Sequence, residues 1–170
     1  MNPLLRHQLN ALFQRSRFAI LLQFIAALAV VGALFGKLPN ISLAAWSLGI
    51  IAIYGLQLIM AQIFLTRPNV SRPMVWQGAA GMLSLVAGLL WGLLALIQPE
   101  VASLVQVGLV VATAAVAALV LWSTASSAGA FPGFMLGLLV PWGITMLQGP
   151  APSSAVALGI AGFSVVYLGL

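Results

Sequence analysis

The 170-residue sequence has no cysteine and no aspartate, and it holds only one glutamate and one histidine. The absence of cysteine excludes disulfides, thiolate metal sites and cysteine nucleophiles. Charged residues make up 4% of the chain, whereas soluble domains carry roughly 25%. So few charges cannot form a water-facing surface, which excludes a soluble globular enzyme. Intrinsic disorder is excluded as well, because it requires low hydrophobicity and high charge.

The scarcity of ionisable groups also limits the chemistry of the chain. Glu100 lies in a predicted loop beside Pro99, and His7 lies in the N-terminal segment. No long apolar run therefore contains an acid, a base or a histidine, whereas pumps and ion-coupled transporters normally bury such a group. One glutamate and one histidine supply too few ligands for a metal or haem site, unless two subunits share the site. We expect no catalytic residue, no metal and no cofactor within these residues.

What the sequence does contain is long apolar runs. Hydrophobic residues make up 63% of the chain and the mean hydropathy is +1.18. A helix needs about 20 apolar residues to cross a membrane, and breaks rich in proline and glycine separate six runs of about that length. The predicted fold is an all-α membrane protein, a six-helix transmembrane bundle with short loops. The six predicted spans are about 18–36, 42–65, 73–97, 101–123, 131–147 and 153–170.

The arginines predict the orientation of this bundle. They lie before the first span and between the second and third spans, so alternating spans place them on one side. Lys37 and Glu100, on the other side, sum to zero. By the positive-inside rule both termini are cytoplasmic, in a bacterial inner membrane, and the basic charge does not indicate a nucleic-acid partner. The topology markers are Arg6, Arg15, Arg17, Arg67 and Arg72.

Residues 1–17 form a basic, amphipathic segment ahead of the six-span region 18–170. We expect an uncleaved first helix rather than a signal peptide, because the apolar run is long and no clear cleavage site follows it. Two structures remain open for the segment itself. It is either a helix lying on the cytoplasmic face of the membrane or a cytoplasmic extension of the first span.

Small residues spaced by four predict close helix contacts. Such spacing puts two glycines on one helix face and lets another backbone approach. We expect these faces to pack within the bundle, with a dimer face or a sliding surface as the alternative. Pro141 lies inside an apolar run, where it predicts a kink that can act as a hinge. The glycine pairs are Gly32 and Gly36, Gly88 and Gly92, and Gly133 and Gly137.

Polar and aromatic residues inside the runs are the candidates for a ligand pocket. Amides in hydrocarbon need hydrogen-bond partners and should face the bundle interior. Gln57 and Gln106 fit either interhelical hydrogen bonding or an anchor for the headgroup of an apolar ligand. Trp91, between two glycines, fits core packing or the wall of a pocket. The pocket candidates are Trp91, Gln57, Gln106, Trp122 and Trp142.

Several short motifs resemble a known arrangement. They are Gly88-Leu-Leu-Trp91-Gly92, Pro99 in the following loop, Ser126-Ser127, Ala130-Phe131-Pro132 and Pro141. With the basic N-terminus and the tight loops, they resemble the N-terminal multi-spanning sensor regions of bacterial membrane diguanylate cyclases and hybrid sensor histidine kinases. The resemblance implies a cytoplasmic GGDEF, EAL or kinase domain after the membrane region. It also implies an apolar signal, since some related kinases are thought to respond to fatty acids.

The sequence therefore predicts a sensory input module for a hydrophobic or lipid-like signal. Its expected partners are the lipid bilayer, a fatty-acid-like ligand and a second copy in a homodimer. The final apolar run stops at Leu170 without polar residues after it, which agrees with a cytoplasmic output domain beyond it. Two alternatives stay open, namely a small transporter or channel for an uncharged or lipid-like solute, and a purely structural membrane anchor.

Overall fold

The computed structural model of the chain describes residues 3–66, 73–97, 103–124 and 130–148. The part it describes is helical, with short turns and no strand. The helices are α1 (Pro3–Leu34), α2 (Asn40–Thr66), α3 (Pro73–Gly92), α4 (Leu94–Ile97), α5 (Ser103–Thr124) and α6 (Ala130–Gln148). The predicted all-α fold is confirmed for these residues.

Four apolar stretches are long enough to cross a membrane. They are Asn10–Leu34, Asn40–Thr66, Met74–Leu96 and Val105–Thr124, and Ala130–Ile144 is a shorter apolar stretch. Large apolar side chains on their outer faces are exposed, among them Leu21 and Ile25 of α1 and Ile51 and Ile59 of α2. Apolar surface of this extent is unfavourable in water and suits contact with lipid. These features indicate a membrane protein.

Some parts of the predicted topology lie outside the described residues. The sixth predicted span, 153–170, is one, and Arg67 and Arg72 are others. The described residues therefore support four membrane-crossing helices by length and composition, rather than the full count of six. Arg6 lies in α1, and Arg15 and Arg17 are exposed on the same helix.

Helix α1 runs unbroken through the basic segment and the first apolar run. Its 32 residues span about 48 Å at about 1.5 Å per residue, which exceeds the roughly 30 Å of a hydrocarbon core. The helix ends at Leu34, two residues before Gly36, whose φ of +72° is the left-handed conformation that often follows a helix C-terminus. Gly36 therefore lies in the turn after α1 rather than on a helix face with Gly32.

The closest contact in the bundle joins α3 to α6 through their glycines. A Cβ built on Gly133 would lie 2.7 Å from the carbonyl oxygen of Gly81, and one built on Gly92 would lie 2.7 Å from that of Leu138. Only glycine permits such an approach of two backbones. The predicted glycines in this contact are Gly88, Gly92, Gly133 and Gly137. These two pairs pack within one chain.

Helix α3 breaks where it passes Pro141 of α6. The break follows Gly92, on which a Cβ would lie 2.9 Å from Cγ of Pro141, and α4 begins at Leu94. The last carbonyls of a helix need partners from outside that helix. One of them, Leu90 O, accepts a hydrogen bond of 2.6 Å from the indole nitrogen of Trp46 on α2. Helix α6 itself continues through Pro141 to Gln148.

Candidate functional site: a polar cavity among five helices

A cavity of about 40 Å³ lies toward the end of the bundle where α1, α3 and α6 begin. Side chains of α1, α2, α3, α5 and α6 all contribute to its wall. The volume is enough for about three water molecules, at roughly 10–15 Å³ each. Because five helices converge there, a molecule in the cavity would contact every long helix that the structure describes.

The cavity wall is unusually polar for the interior of an apolar bundle. Gln23 is only 4% exposed, and Ser84, Ser123 and Thr124 are buried with it. These four side chains come from three helices: Gln23 from α1, Ser84 from α3, and Ser123 and Thr124 from α5. The six polar residues of the wall are Ser16, Gln23, Gln57, Ser84, Ser123 and Thr124. Buried polar groups are unfavourable unless they are hydrogen-bonded, so this cluster requires an explanation.

Three of the hydroxyl groups use their protons on the backbone. The Ser123 and Thr124 hydroxyls donate to the Val120 carbonyl oxygen, at 3.1 and 2.6 Å, and the Ser16 hydroxyl donates to the Phe13 carbonyl oxygen at 3.1 Å. A hydroxyl oxygen keeps lone pairs after its proton is donated. These three groups can therefore offer acceptors to the cavity.

The two glutamine amides and the Ser84 hydroxyl differ from these three groups in their hydrogen bonding. The hydrogen bonds among the described residues do not include the side chains of Gln23, Gln57 or Ser84. A glutamine amide has two N–H donors and an acceptor oxygen, and a serine hydroxyl has one donor. The wall thus presents donors from α1, α2 and α3 beside acceptors from α1 and α5.

The chemistry of the cavity wall suits the binding of a molecule through hydrogen bonds. The residues that line the cavity are uncharged, and the described part of the chain holds no cluster of three or more His, Cys, Asp or Glu side chains. Amides and hydroxyls at this depth can hold a molecule by hydrogen bonds and orient it. They cannot move a proton as an acid or a base near neutral pH.

An apolar groove lies beside the cavity on the outer surface of α2 and α3. Its volume is about 360 Å³, and Met60 lines both the groove and the cavity. Trp76 lines the groove and stacks edge-on against Phe13, which lines the cavity, with ring centroids 6.3 Å apart. The flexible side chain of Met60 and the Phe13–Trp76 pair therefore separate the polar cavity from the apolar groove.

The other half of the bundle is filled by large side chains. Trp91 is fully buried, and its indole nitrogen donates a hydrogen bond of 2.7 Å to the Tyr54 hydroxyl oxygen. Trp46 packs edge-on against Trp91, with ring centroids 5.7 Å apart. Trp142 and Leu94 are buried in the same core. These aromatic side chains fill the centre of this half, and a groove of about 290 Å³ lies at its surface between α1 and α5.

The predicted pocket residues fall in four different places. Gln57 lines the polar cavity. Trp91 and Trp142 belong to the packed core, and Trp122 is 52% exposed on α5, where it contacts Phe18 with ring centroids 6.5 Å apart. Gln106 is partly buried on α5, away from the cavity wall. The structure thus brings only Gln57 to the cavity.

Gln23, Ser84, Ser123 and Thr124 stand out in the sequence as polar residues within apolar runs that should face the bundle interior. The sequence does not show that they share one cavity with Gln57. Ser16 and Gln23 are seven residues apart and so share one face of α1. Ser84 has Ala80 and Ala87 on the same face of α3, and this small-residue spacing leaves room around a polar group. Tyr54, the partner of Trp91, carried no sequence signal apart from being a tyrosine inside an apolar run.

Comparison of the chain with family models, with curated proteins and with solved structures found no match.

Proposed function

We propose that this chain is the membrane-embedded sensory input module of a bacterial signalling protein. It perceives a hydrophobic or lipid-like signal and passes a change in helix packing to a cytoplasmic output domain, a diguanylate cyclase or a histidine kinase. The observation that carries the proposal is the polar cavity bordered by α1, α2, α3, α5 and α6. A ligand there contacts all five helices, so it stabilises the packing that fits it best and shifts the population toward that packing.

The proposal includes a topology of six spans with both termini in the cytoplasm of a bacterial cell. Helix α6 has 19 residues, or about 28 Å at about 1.5 Å per residue, close to the roughly 30 Å of a hydrocarbon core. The exposed Arg15 and Arg17 support a cytoplasmic start for α1 under the positive-inside rule. A homodimer is part of the proposal, because Gly32 has open space around it and leaves that face of α1 free to approach a second copy.

The packed half of the bundle favours a sensor over a transporter or channel. A solute path through the membrane would continue beyond the cavity into the region of Trp91, Tyr54 and Trp142. These side chains are almost completely buried there. A cavity that ends against such a core suits a bound signal better than a moving solute.

The first test is the reading frame downstream of Leu170. We expect it to encode a cyclase, phosphodiesterase or kinase domain. A stop codon shortly after Leu170 would contradict the sensor proposal and leave a stand-alone membrane protein.

The second test uses the full-length protein. Residues 18–170 are replaced by an unrelated membrane anchor of the same span number, and the output activity is measured with and without added membrane lipids or fatty acids. We expect the response to be lost while basal activity remains. A retained response would mean that the region is only an anchor, and solute flux into liposomes containing the chain would identify a transporter.

A further inference from the structure

We propose that the cavity and the adjoining groove form one binding site for an uncharged single-chain amphiphile with a hydroxyl or protonated carboxyl headgroup. The headgroup lies in the polar cavity, and the apolar tail passes Met60 and lies in the groove between α2 and α3. The inference deepens the proposed function and rests on it only for its signalling consequence. Binding itself concerns this chain alone.

The hydrogen-bonding capacity of the cavity wall defines the headgroup. The Ser123 and Thr124 hydroxyls donate hydrogen bonds to the Val120 carbonyl oxygen, so toward the cavity they act as acceptors and favour a ligand that donates. The Gln23 amide is 4% exposed and lines the cavity, and its N–H groups need a ligand that accepts. A primary alcohol and a protonated carboxyl do both, whereas an ammonium only donates and a carboxylate only accepts.

Charge and size agree with an uncharged headgroup. The cavity wall described here carries no cation to pair with a carboxylate, and an unpaired charge is costly at this depth. At about 40 Å³, the cavity holds a few heavy atoms rather than a whole lipid. The groove of about 360 Å³ supplies the additional space, and its lining is apolar: Leu56, Ile59, Ile63, Val75 and Leu83.

Met60 is where the two spaces adjoin. Its side chain lines both of them and is only partly buried. An unbranched thioether side chain changes rotamer easily, so it can move aside for a tail without disturbing the backbone of α2. The site is thus open toward the lipid-facing surface of α2 and α3, from which an amphiphile would enter.

The test uses the chain in nanodiscs of a zwitterionic lipid and a fatty alcohol with a diazirine in its tail. Dodecanol, dodecylamine, dodecanoate and dodecane compete with this photoprobe, and labelled residues are found by mass spectrometry. We expect labels at the groove, and we expect dodecanol to compete about tenfold better than the amine, the carboxylate or the alkane, a difference of about 1.4 kcal/mol. Dodecanoate should gain potency as the pH falls and its carboxylate becomes protonated.

Matched variants test whether the polar residues of the cavity hold the headgroup. Gln23→Leu and Ser84→Ala should each weaken dodecanol competition by about fivefold to tenfold, because each removes a hydrogen-bonding group. The controls are Gln62→Leu, an exposed glutamine of α2, and Ser47→Ala, whose hydroxyl bonds Leu43 O outside the cavity. Thermal unfolding of each protein shows that it is folded.

Several results would overturn the inference. Equal competition by dodecane and dodecanol would mean that the cavity holds water only, and so would unchanged competition in Gln23→Leu. If dodecylamine or dodecanoate competed best at neutral pH, the headgroup would be charged. Binding with the expected preferences, together with an output domain that ignores the ligand, would overturn the sensor proposal and leave this site intact.

Discussion

The indole nitrogen of Trp91 on α3 donates a hydrogen bond of 2.7 Å to the hydroxyl oxygen of Tyr54 on α2, and both side chains are buried. Trp46, packed edge-on against Trp91, donates from its own indole to Leu90 O. Two polar contacts therefore join α2 to α3 inside an apolar core. An interhelical hydrogen bond of this kind both stabilises the pair and fixes how the helices are rotated.

Tyr54→Phe should lower the free energy of unfolding by about 1–2 kcal/mol, because it leaves the Trp91 N–H without an acceptor. The measurement is unfolding by SDS titration from mixed micelles. Trp122→Phe, at an exposed position, is the control and should have a much smaller effect. A double-mutant cycle with Trp91→Phe should give a coupling of about 1 kcal/mol, and a coupling near zero would mean that the hydrogen bond contributes nothing.

Gly88→Ala should destabilise the bundle by about 3 kcal/mol or more, the upper end for overpacking. The added methyl would collide with the Phe134 carbonyl oxygen, and backbone cannot move aside as a side chain can. Gly55→Ala, where no atom lies within 4 Å of the added Cβ, is the matched control and should be neutral. Equal stability of the two variants in the same SDS titration would rule out the close α3–α6 contact.

Gly36→Ala should cost about 1–2 kcal/mol, because an alanine is strained in the left-handed conformation that Gly36 adopts at φ +72°. Gly78→Ala, in α3, lies in a helix with open space around it and should be neutral or stabilising by up to about 1 kcal/mol. Thermal unfolding in detergent compares the two. If Gly36→Ala cost no more than Gly78→Ala, Gly36 would not adopt the left-handed conformation.

The proposed orientation can be measured directly, because the chain has no cysteine of its own. Lys37→Cys and Asn69→Cys are expressed singly in cells and exposed to a membrane-impermeant maleimide. Under the positive-inside rule, we expect Lys37→Cys to react in intact cells and Asn69→Cys to react only after permeabilisation. The reverse pattern would contradict the proposed cytoplasmic N-terminus.

Much of the fold could be predicted from hydropathy alone. The run predicted at 42–65 is covered by α2 at Asn40–Thr66, and the run at 131–147 is covered by α6 at Ala130–Gln148. Hydropathy did not predict that the run at 73–97 is broken between Gly92 and Leu94. The break lies beside Pro141, a residue of another helix, and a one-dimensional pattern contains no such contact.

The candidate site was much harder to predict. Gln57 was singled out as a polar residue in an apolar run, and it does line the cavity. Gln23 and Ser84 carry the same kind of signal, but their importance depends on which helix faces meet. Trp91, which glycines flank, lies in the packed core, the first of the two roles that its position fitted. Its glycines serve the contact of α3 with α6, so small neighbours there indicated a close backbone rather than a pocket.

The glycine contact has a mechanical consequence. Because almost no side chain separates α3 from α6 at these glycines, we expect a displacement of one helix to move the other with it. Both helices line the cavity, α3 with Ser84 and α6 with Phe134. We expect a molecule bound there to tilt α3 and α6 together, with the largest displacement at the ends of the two helices that lie farthest from the cavity. Those ends include Gly92 of α3 and Pro141 of α6, next to the packed aromatic core.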